Sequence, residues 1–193
     1  MRNYIDWSEL LHFWGFTGTL EQMLSSEKGK EANELLEQAR AELESCTSDG
    51  SIQVDLMLDF FTGKQIDEKS GAESVRYMPE VPADKFVGFM VATAYDRSVS
   101  DNTDHKSFEY LLRASLCARL VEAAAVAATV KLEQDCGFKW LRIAVGYPMI
   151  PDHNVKRDIF SILNAPANLP VRLTSTAAII PDTSICAVMV PVK

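Results

Sequence analysis

One helix in the middle of the chain limits the fold more than any other segment. Residues 107 to 132 read SFEYLLRASLCARLVEAAAVAATVKL, and the pattern predicts a helix over roughly 104 to 133. Between Arg119 and Lys131 its only charged residue is Glu122, set among Leu120, Val121, Ala123, Ala124, Ala125 and Val126. A helix that is apolar on nearly every side at one level is expected to be buried there. The chain has the material for such a core: 193 residues, 47% apolar and 24% charged, suffice for one domain or a lopsided pair.

The other elements read less uniformly. Trp7, Leu10, Leu11 and Trp14 share one face of a short first helix, and Asp6 with Glu9 has the spacing of a capping arrangement. A polar connection leads to KEANELLEQARAELESC, a helix whose stripe is Ala32, Leu35, Leu36, Ala39 and Leu43, ended by Thr47-Ser48-Asp49-Gly50. SIQVDLMLDFF then alternates like a strand, with Ile52, Val54, Leu56, Leu58 and Phe60 on one side. Residues 62 to 85, rich in Gly, Lys, Glu and Pro, read as a long excursion or hairpin tip. FVGFMVATA, 86 to 94, is a nearly continuous β-type run, as expected of a central strand.

After the polar break DRSVSDNTDHKS and the long helix, a strand is expected around Trp140 to Val145. Asp152 is placed to cap a helix through Leu163, with His153 in its first turn and Val155, Ile159, Phe160 and Leu163 on its inner face. Two strands, near 171 to 179 and 185 to 190, close the chain. Helices and strands mix without regular βαβ alternation, and no glycine-rich phosphate loop follows a strand. The reading is α+β with an antiparallel or mixed sheet, not a Rossmann fold.

A formal net charge of −8 argues against nucleic acid or an anionic membrane as the main partner. The cysteines at 46, 117, 136 and 186 are far apart and form no zinc or disulfide pattern. The N-terminal MRNYIDWSELLHFW does not read as a signal peptide, and no apolar run approaches a membrane span. A reduced, cytoplasmic protein is expected.

Two charges invite a functional reading. Glu122 needs a partner in apolar surroundings; Arg119, three residues earlier, is one choice and a cationic ligand group is the other. Arg142 opens RIAVGYPMIPDH, residues 142 to 153. Its planar fork suits a carboxylate or phosphate, although a surface acid would serve as well. Gly146 would let backbone approach a ligand, Tyr147 offers an aromatic face and a hydroxyl, and Pro148 and Pro151 stiffen the exit. Asp6 is fully explained as a helix cap. His12, His105 and His153 lack metal spacing, and no metal ligand or catalytic residue is assigned.

Taken together and in order, YIDW at 4 to 7, RLVE at 119 to 122 and RIAVGYPMIPDH resemble three landmarks of the activation domain of B12-dependent methionine synthase. GFMVATA and LTSTAAIIPDTSICAVMV are similar to further strands of that domain, so the resemblance runs from residue 4 to about 190. It implies a single C-shaped α+β domain over 1–193, with a central, mainly antiparallel twisted sheet flanked by helices and an N-terminal helical part over 1–46. It implies S-adenosylmethionine (AdoMet) as the bound cofactor, with Arg142 matching the arginine that holds its carboxylate. Ala144, Gly146 and Tyr147 match groups lining the methionine and adenosine parts, and Glu122 and Asp6 match acids that contact the ligand.

In the family, cob(II)alamin formed by oxidation is returned to methylcobalamin with an electron from flavodoxin and the AdoMet methyl group. No D-x-H-x-x-G cobalamin motif occurs in these residues, so cobalamin is expected only through a partner, a corrinoid-binding protein or methionine synthase subunit acted on in trans. A stand-alone module, not a complete catalyst, is the expectation. The alternative is an interaction module of the same fold that has lost AdoMet binding and caps or chaperones a corrinoid protein. The segment between Glu122 and Arg142 is shorter than in the fused enzymes, and the family's tyrosine-bearing tail does not follow Lys193. An AdoMet-dependent methyltransferase with a small substrate has no glycine-rich loop or base to support it.

Overall fold

In the computed structural model, which describes residues 1–70, 76–100 and 103–192, the chain starts with a 3-10 turn (Arg2–Tyr4) and three helices: α1 (Trp7–Phe13), α2 (Leu20–Ser25) and α3 (Gly29–Asp49). Next come β1 (Ile52–Thr62), α4 (Gly63–Ser70), β2 (Phe86–Asp96) and the long α5 (Phe108–Cys136). β3 (Lys139–Ala144), α6 (Val155–Leu163), α7 (Ala165–Asn168), β4 (Arg172–Leu173), β5 (Ile179–Ile180) and β6 (Ser184–Val192) complete it. The architecture is α+β, with a central antiparallel sheet in the order β1-β2-β6-β3 and a small β4-β5 ribbon. The chain divides into two compact units, Met1–Val54 with Ala94–Ala123 and Asp55–Thr93 with Ala124–Lys193.

The first unit is mostly helical. Asp6 caps α1, its Oδ1 accepting from the backbone N–H of Ser8 at 2.9 Å and of Glu9 at 3.3 Å, and Leu10 and Leu11 are fully buried. The stripe expected on α3 is buried at all five positions, with Cys46 added. Gly50, at φ +68°, takes the left-handed conformation that ends this helix. The segment between α1 and α3, expected as a polar connection, contains α2. Six residues suffice because Thr19 and Gln22 form a reciprocal capping box, at 3.3 and 2.8 Å, and Met23 anchors the turn.

A buried cation holds this unit together. Arg113 donates from Nε to Asp96 Oδ2 at 2.5 Å, from Nη1 to Glu42 Oε1 at 2.6 Å, and from Nη2 to Ser51 Oγ at 2.6 Å and Asp96 Oδ1 at 3.1 Å. The fork thus ties α5 to α3 and to residues beside β1 and β2. Paired and hydrogen-bonded in this way, a guanidinium tolerates burial.

The second unit is built on the sheet. Side chains of successive residues fall on opposite faces. Phe89, Val91, Cys186 and Val188, with Met57 and Phe61, meet Val155, Ile159, Phe160 and Leu163 of α6 on one face. Met90, Ala187 and Met189, with Leu56, Leu58 and Phe60, meet Trp140 and the α5 residues Ala125, Ala128 and Leu132 on the other. β2 is the expected central strand, buried from Gly88 to Ala94. On β1 the expected side, Leu56, Leu58 and Phe60, does pack together, but Met57 and Phe61 serve the opposite cluster, so both faces are used.

Three local expectations need correction. The excursion over 62–85 opens with α4, which Ile66 buries and a second Thr–Gln box starts: Thr62 N–H donates to Gln65 Oε1 at 2.9 Å and Gln65 N–H to Thr62 Oγ1 at 3.3 Å. Its residues 71–75, like 101–102 of the later polar break, lie outside the described residues. Asp152 does not cap α6; its Oδ1 accepts from Asn154 N–H at 2.9 Å, shaping a turn before the helix, so His153 precedes α6 instead of lying in its first turn. The strand expected over 171–179 folds back on itself as β4 and β5. Ala178 N–H donates to Thr174 Oγ1 at 3.0 Å and Ala177 sits at φ +58°, so the threonine and alanine run makes a turn.

α6 is more deeply buried than its apolar stripe alone required. Asp158 lies on its covered side and accepts the backbone N–H groups of Tyr77 and Met78, both at 2.7 Å, which fastens that segment to the helix.

Candidate functional site

The sequence candidates fall into two groups, one in each unit. In the first unit, Asp6 is engaged as the cap of α1. The Ser8 hydroxyl, which also donates to its carboxylate, holds the Asp6 carboxyl below its ordinary value against the opposing effect of burial. The charge of Arg119 pushes weakly in the same direction. Arg119 itself reaches Glu9, Nη1 to Oε2 at 3.8 Å. The start of α1 therefore neighbours the turn of α5 just ahead of Glu122.

Glu122 lies between buried Val121 and Ala123 and is itself half-buried. The expectation that α5 would be covered on nearly every side here is not met. Leu120, Val121, Ala123 and Ala125 are buried, but Ala124 is partly open and Val126 is 36% exposed. The alanine run leaves one side of the helix low and uncrowded, which an all-round apolar pattern does not reveal.

In the second unit the candidates are contiguous. Among the described residues β3 is an edge strand paired with β6, so half of its peptide groups point away from the sheet. The register sets Arg142 opposite Met189 and Ala144 opposite Ala187. Arg142 and Ala144 therefore stand on the face of the sheet that carries Met90, Met189 and Trp140. After β3 the chain tightens. Val145 N–H donates to Cys186 O at 3.0 Å, Gly146 N–H to Ile150 O at 2.7 Å, and Ile150 N–H to Tyr147 O at 2.9 Å. Pro148 sits where a tight turn wants a preset φ.

Gly146 is needed twice over at this tip. Its φ of +99° disfavours a side chain, and a Cβ there would come within 2.6 Å of the His153 ring. The glycine thus clears space first for the histidine of the same motif. Tyr147 and Met149 project from the tip, each 67% exposed.

The sequence reading passed over three buried charges. They are Arg113 on α5 and Lys156 and Asp158 on α6. Arg113 could have been flagged, because it lies three and four residues from Leu116 and Cys117, which share its buried side. Lys156 and Asp158 are buried by segments distant in sequence, which periodicity does not report. Among the described residues no three His, Cys, Asp or Glu side chains gather as a metal site, and no helix is long and apolar enough to cross a membrane.

With the geometry in place, similarity to known proteins adds a frame. The crystal structure of the MetH reactivation domain bound to AdoHcy superposes with a TM-score of 0.80 at 19% identity, over 97% of this chain and 74% of that one. At that identity the likeness speaks for the fold. The family model described as vitamin B12 dependent methionine synthase, activation domain, matches residues 1–76 and 72–192. With nearly its whole length matched, the chain belongs to the family of vitamin B12-dependent methionine synthase activation domains.

Proposed function

We propose that this protein binds AdoMet and serves as the activation module for a corrinoid-binding partner. Family membership and the likeness to a domain crystallised with AdoHcy support the reading. The observation that carries it is Arg142, a partly exposed guanidinium on the edge strand four residues ahead of the left-handed Gly146.

AdoMet carries one carboxylate and two positive centres, the ammonium and the sulfonium. Arg142 takes the carboxylate in two parallel bonds. Ala144 and Gly146 keep bulk away from the ligand, and Tyr147 supplies an aromatic face with a hydroxyl. In the first unit, Glu122, and Asp6 whose carboxyl stays ionised, are the acids that the family resemblance matches to ligand contacts, and their negative charge suits a cationic group. No general acid or base is assigned, because a sulfonium is already an activated methyl donor; the protein's work is positioning and exclusion of water. A corrinoid held by the partner would supply reduced cobalt as the methyl acceptor, with a flavodoxin-type reductant as the electron source. These residues contain no D-x-H-x-x-G motif, so another protein domain brings the corrinoid.

Calorimetric titration with AdoMet tests the reading, with saturable heat expected. Loss of a charged hydrogen-bond partner costs roughly 1.5–3 kcal/mol, so Arg142→Ala should weaken binding about tenfold to a hundredfold. Absence of heat would remove the AdoMet reading; an unchanged dissociation constant in the variant would remove Arg142 from it. The exposed Tyr147–Met149 tip favours a second reading, an interaction module that caps a corrinoid protein without AdoMet. Capture of a corrinoid protein that persists in Arg142→Ala would support that one.

A further inference from the structure

The face of the sheet turned away from Arg142 carries a second cluster of polar groups. Lys156, in the first turn of α6, is 8% exposed. It lines a cavity of about 430 Å³ together with His153, Thr176, Asp182 and Ser184. Ser184 stands on the same side of β6 as Cys186 and Val188, the side covered by α6. A cavity of this volume is within the range of small-molecule sites.

Among the described residues the Lys156 ammonium forms no ion pair. Among the described residues, the hydrogen-bond partner of the Lys156 ammonium is His153 Nδ1, at 2.9 Å. Asp182 lines the same wall but forms no ion pair with Lys156 among the described residues. Burial lowers the lysine pKa, and the Cys186 thiol, itself pushed to about 12 by burial, only partly opposes that. A buried ammonium in this state is relieved by any anion that reaches it.

The donors around it are oriented. An ammonium has three N–H bonds and no acceptor, so His153 Nδ1 must accept and its proton sits on Nε2. The imidazole is held in the wall by its contact with Gly146, whose missing side chain makes the room. Ser184 Oγ is already committed as a donor to Thr93 Oγ1 at 2.8 Å, and the Thr176 hydroxyl is shared with Thr174 Oγ1 at 3.1 Å, which leaves Lys156 and His153 Nε2 as the donors that face a ligand. A buried ammonium beside an imidazole N–H, without an ion pair among the described residues, forms the complement of an oxyanion.

We propose that this cavity is a second ligand site, which takes the oxyanion end of a small molecule, a carboxylate or a phosphate, between Lys156 and His153. It lies on the α6 face and, apart from Gly146, whose missing side chain makes room for the imidazole, uses none of the residues assigned to AdoMet. The Gly146–His153 pairing then serves both faces of the motif, clearing the tip on one and fixing an imidazole on the other.

The test is a titration of the labelled full chain with inorganic phosphate and, separately, with acetate, at constant ionic strength set by chloride. Backbone amide shifts of Lys156, Thr176 and Ser184 are followed by NMR. Saturable shifts with at least one anion are expected, and the tighter of the two names the oxyanion chemistry. Lys156→Met should weaken that binding at least tenfold and His153→Ala severalfold, while Arg142→Ala, which should weaken AdoMet binding, leaves it unchanged. Shifts that grow linearly without saturation for both anions would overturn the site. So would wild-type affinity in Lys156→Met or, if that variant does not fold, in His153→Ala. Loss of anion binding in Arg142→Ala would move the anion to the other face and equally end the proposal.

Discussion

Arg113 in the first unit and Lys156 in the second are 9% and 8% exposed, yet their surroundings treat them in opposite ways. Arg113 makes four hydrogen bonds, three of them to the carboxylates of Asp96 and Glu42. Its partner Asp96 is pushed up by burial but held below its ordinary value by the guanidinium and by Ser98. Nearby, burial and Glu42 raise the Cys46 thiol to about 11, so it stays protonated and inert. Lys156 has the His153 imidazole for a partner and a cavity in front of it. A cation whose donors are already used holds elements together; one with donors to spare is equipped to meet a ligand.

The comparison can be broken by mutation, and the largest effect is expected at Arg113. Arg113→Met strands Asp96 and Glu42 without their cation, which should cost about 3–5 kcal/mol in urea unfolding; a loss below about 1 kcal/mol would mean the network is not structural. Acid probes the same group. Asp96 has a folded pKa below its unfolded value near 3.8, so the native state binds fewer protons. Its stabilisation is complete above about pH 4 and fades as pH falls through the depressed folded value. Asp96→Asn should remove that component from the pH dependence of the unfolding midpoint.

Arg142→Ala comes next, roughly 1.5–3 kcal/mol in AdoMet affinity with little change in stability, since its strand edge is partly open. Smaller still, and similar in the two units, are the caps. Thr19→Ala and Thr62→Ala should each cost about 1 kcal/mol in thermal or denaturant unfolding. A loss in one and not the other would show that only one of these short helices depends on its box. The smallest stability change is expected at Lys156. Replacing a buried cation that has no carboxylate partner among the described residues with methionine should be close to neutral or stabilising. A loss as large as that of Arg113→Met would erase the contrast between the two cations.

The residues that the sequence misjudged share a cause. α2 and α4 hide in polar stretches because six or eight residues carry one anchoring apolar side chain each, Met23 and Ile66. Their signal was the T-x-x-Q spacing at Thr19–Gln22 and Thr62–Gln65, which is local and was legible. The β4–β5 turn was likewise written in Thr174, whose hydroxyl accepts the returning N–H. Lys156 and Asp158 were not legible. Asp158 is engaged by the N–H groups of Tyr77 and Met78, and Lys156 lines a cavity with residues of the 176–184 segment, all distant in sequence.

By itself, the sequence determined the helices with full apolar stripes, the central strand β2, the cap at Asp6 and the Arg–Gly–Tyr tip, because each depends on spacing within one or two turns of chain. Only the tertiary structure decided that α5 is covered on one side and not all round, that Arg113 rather than Arg119 is the saturated cation, and that His153 and Lys156 share a cavity wall. Burial is a property of what packs against a residue, and charges acquire partners across the chain, so neither is contained in a local pattern.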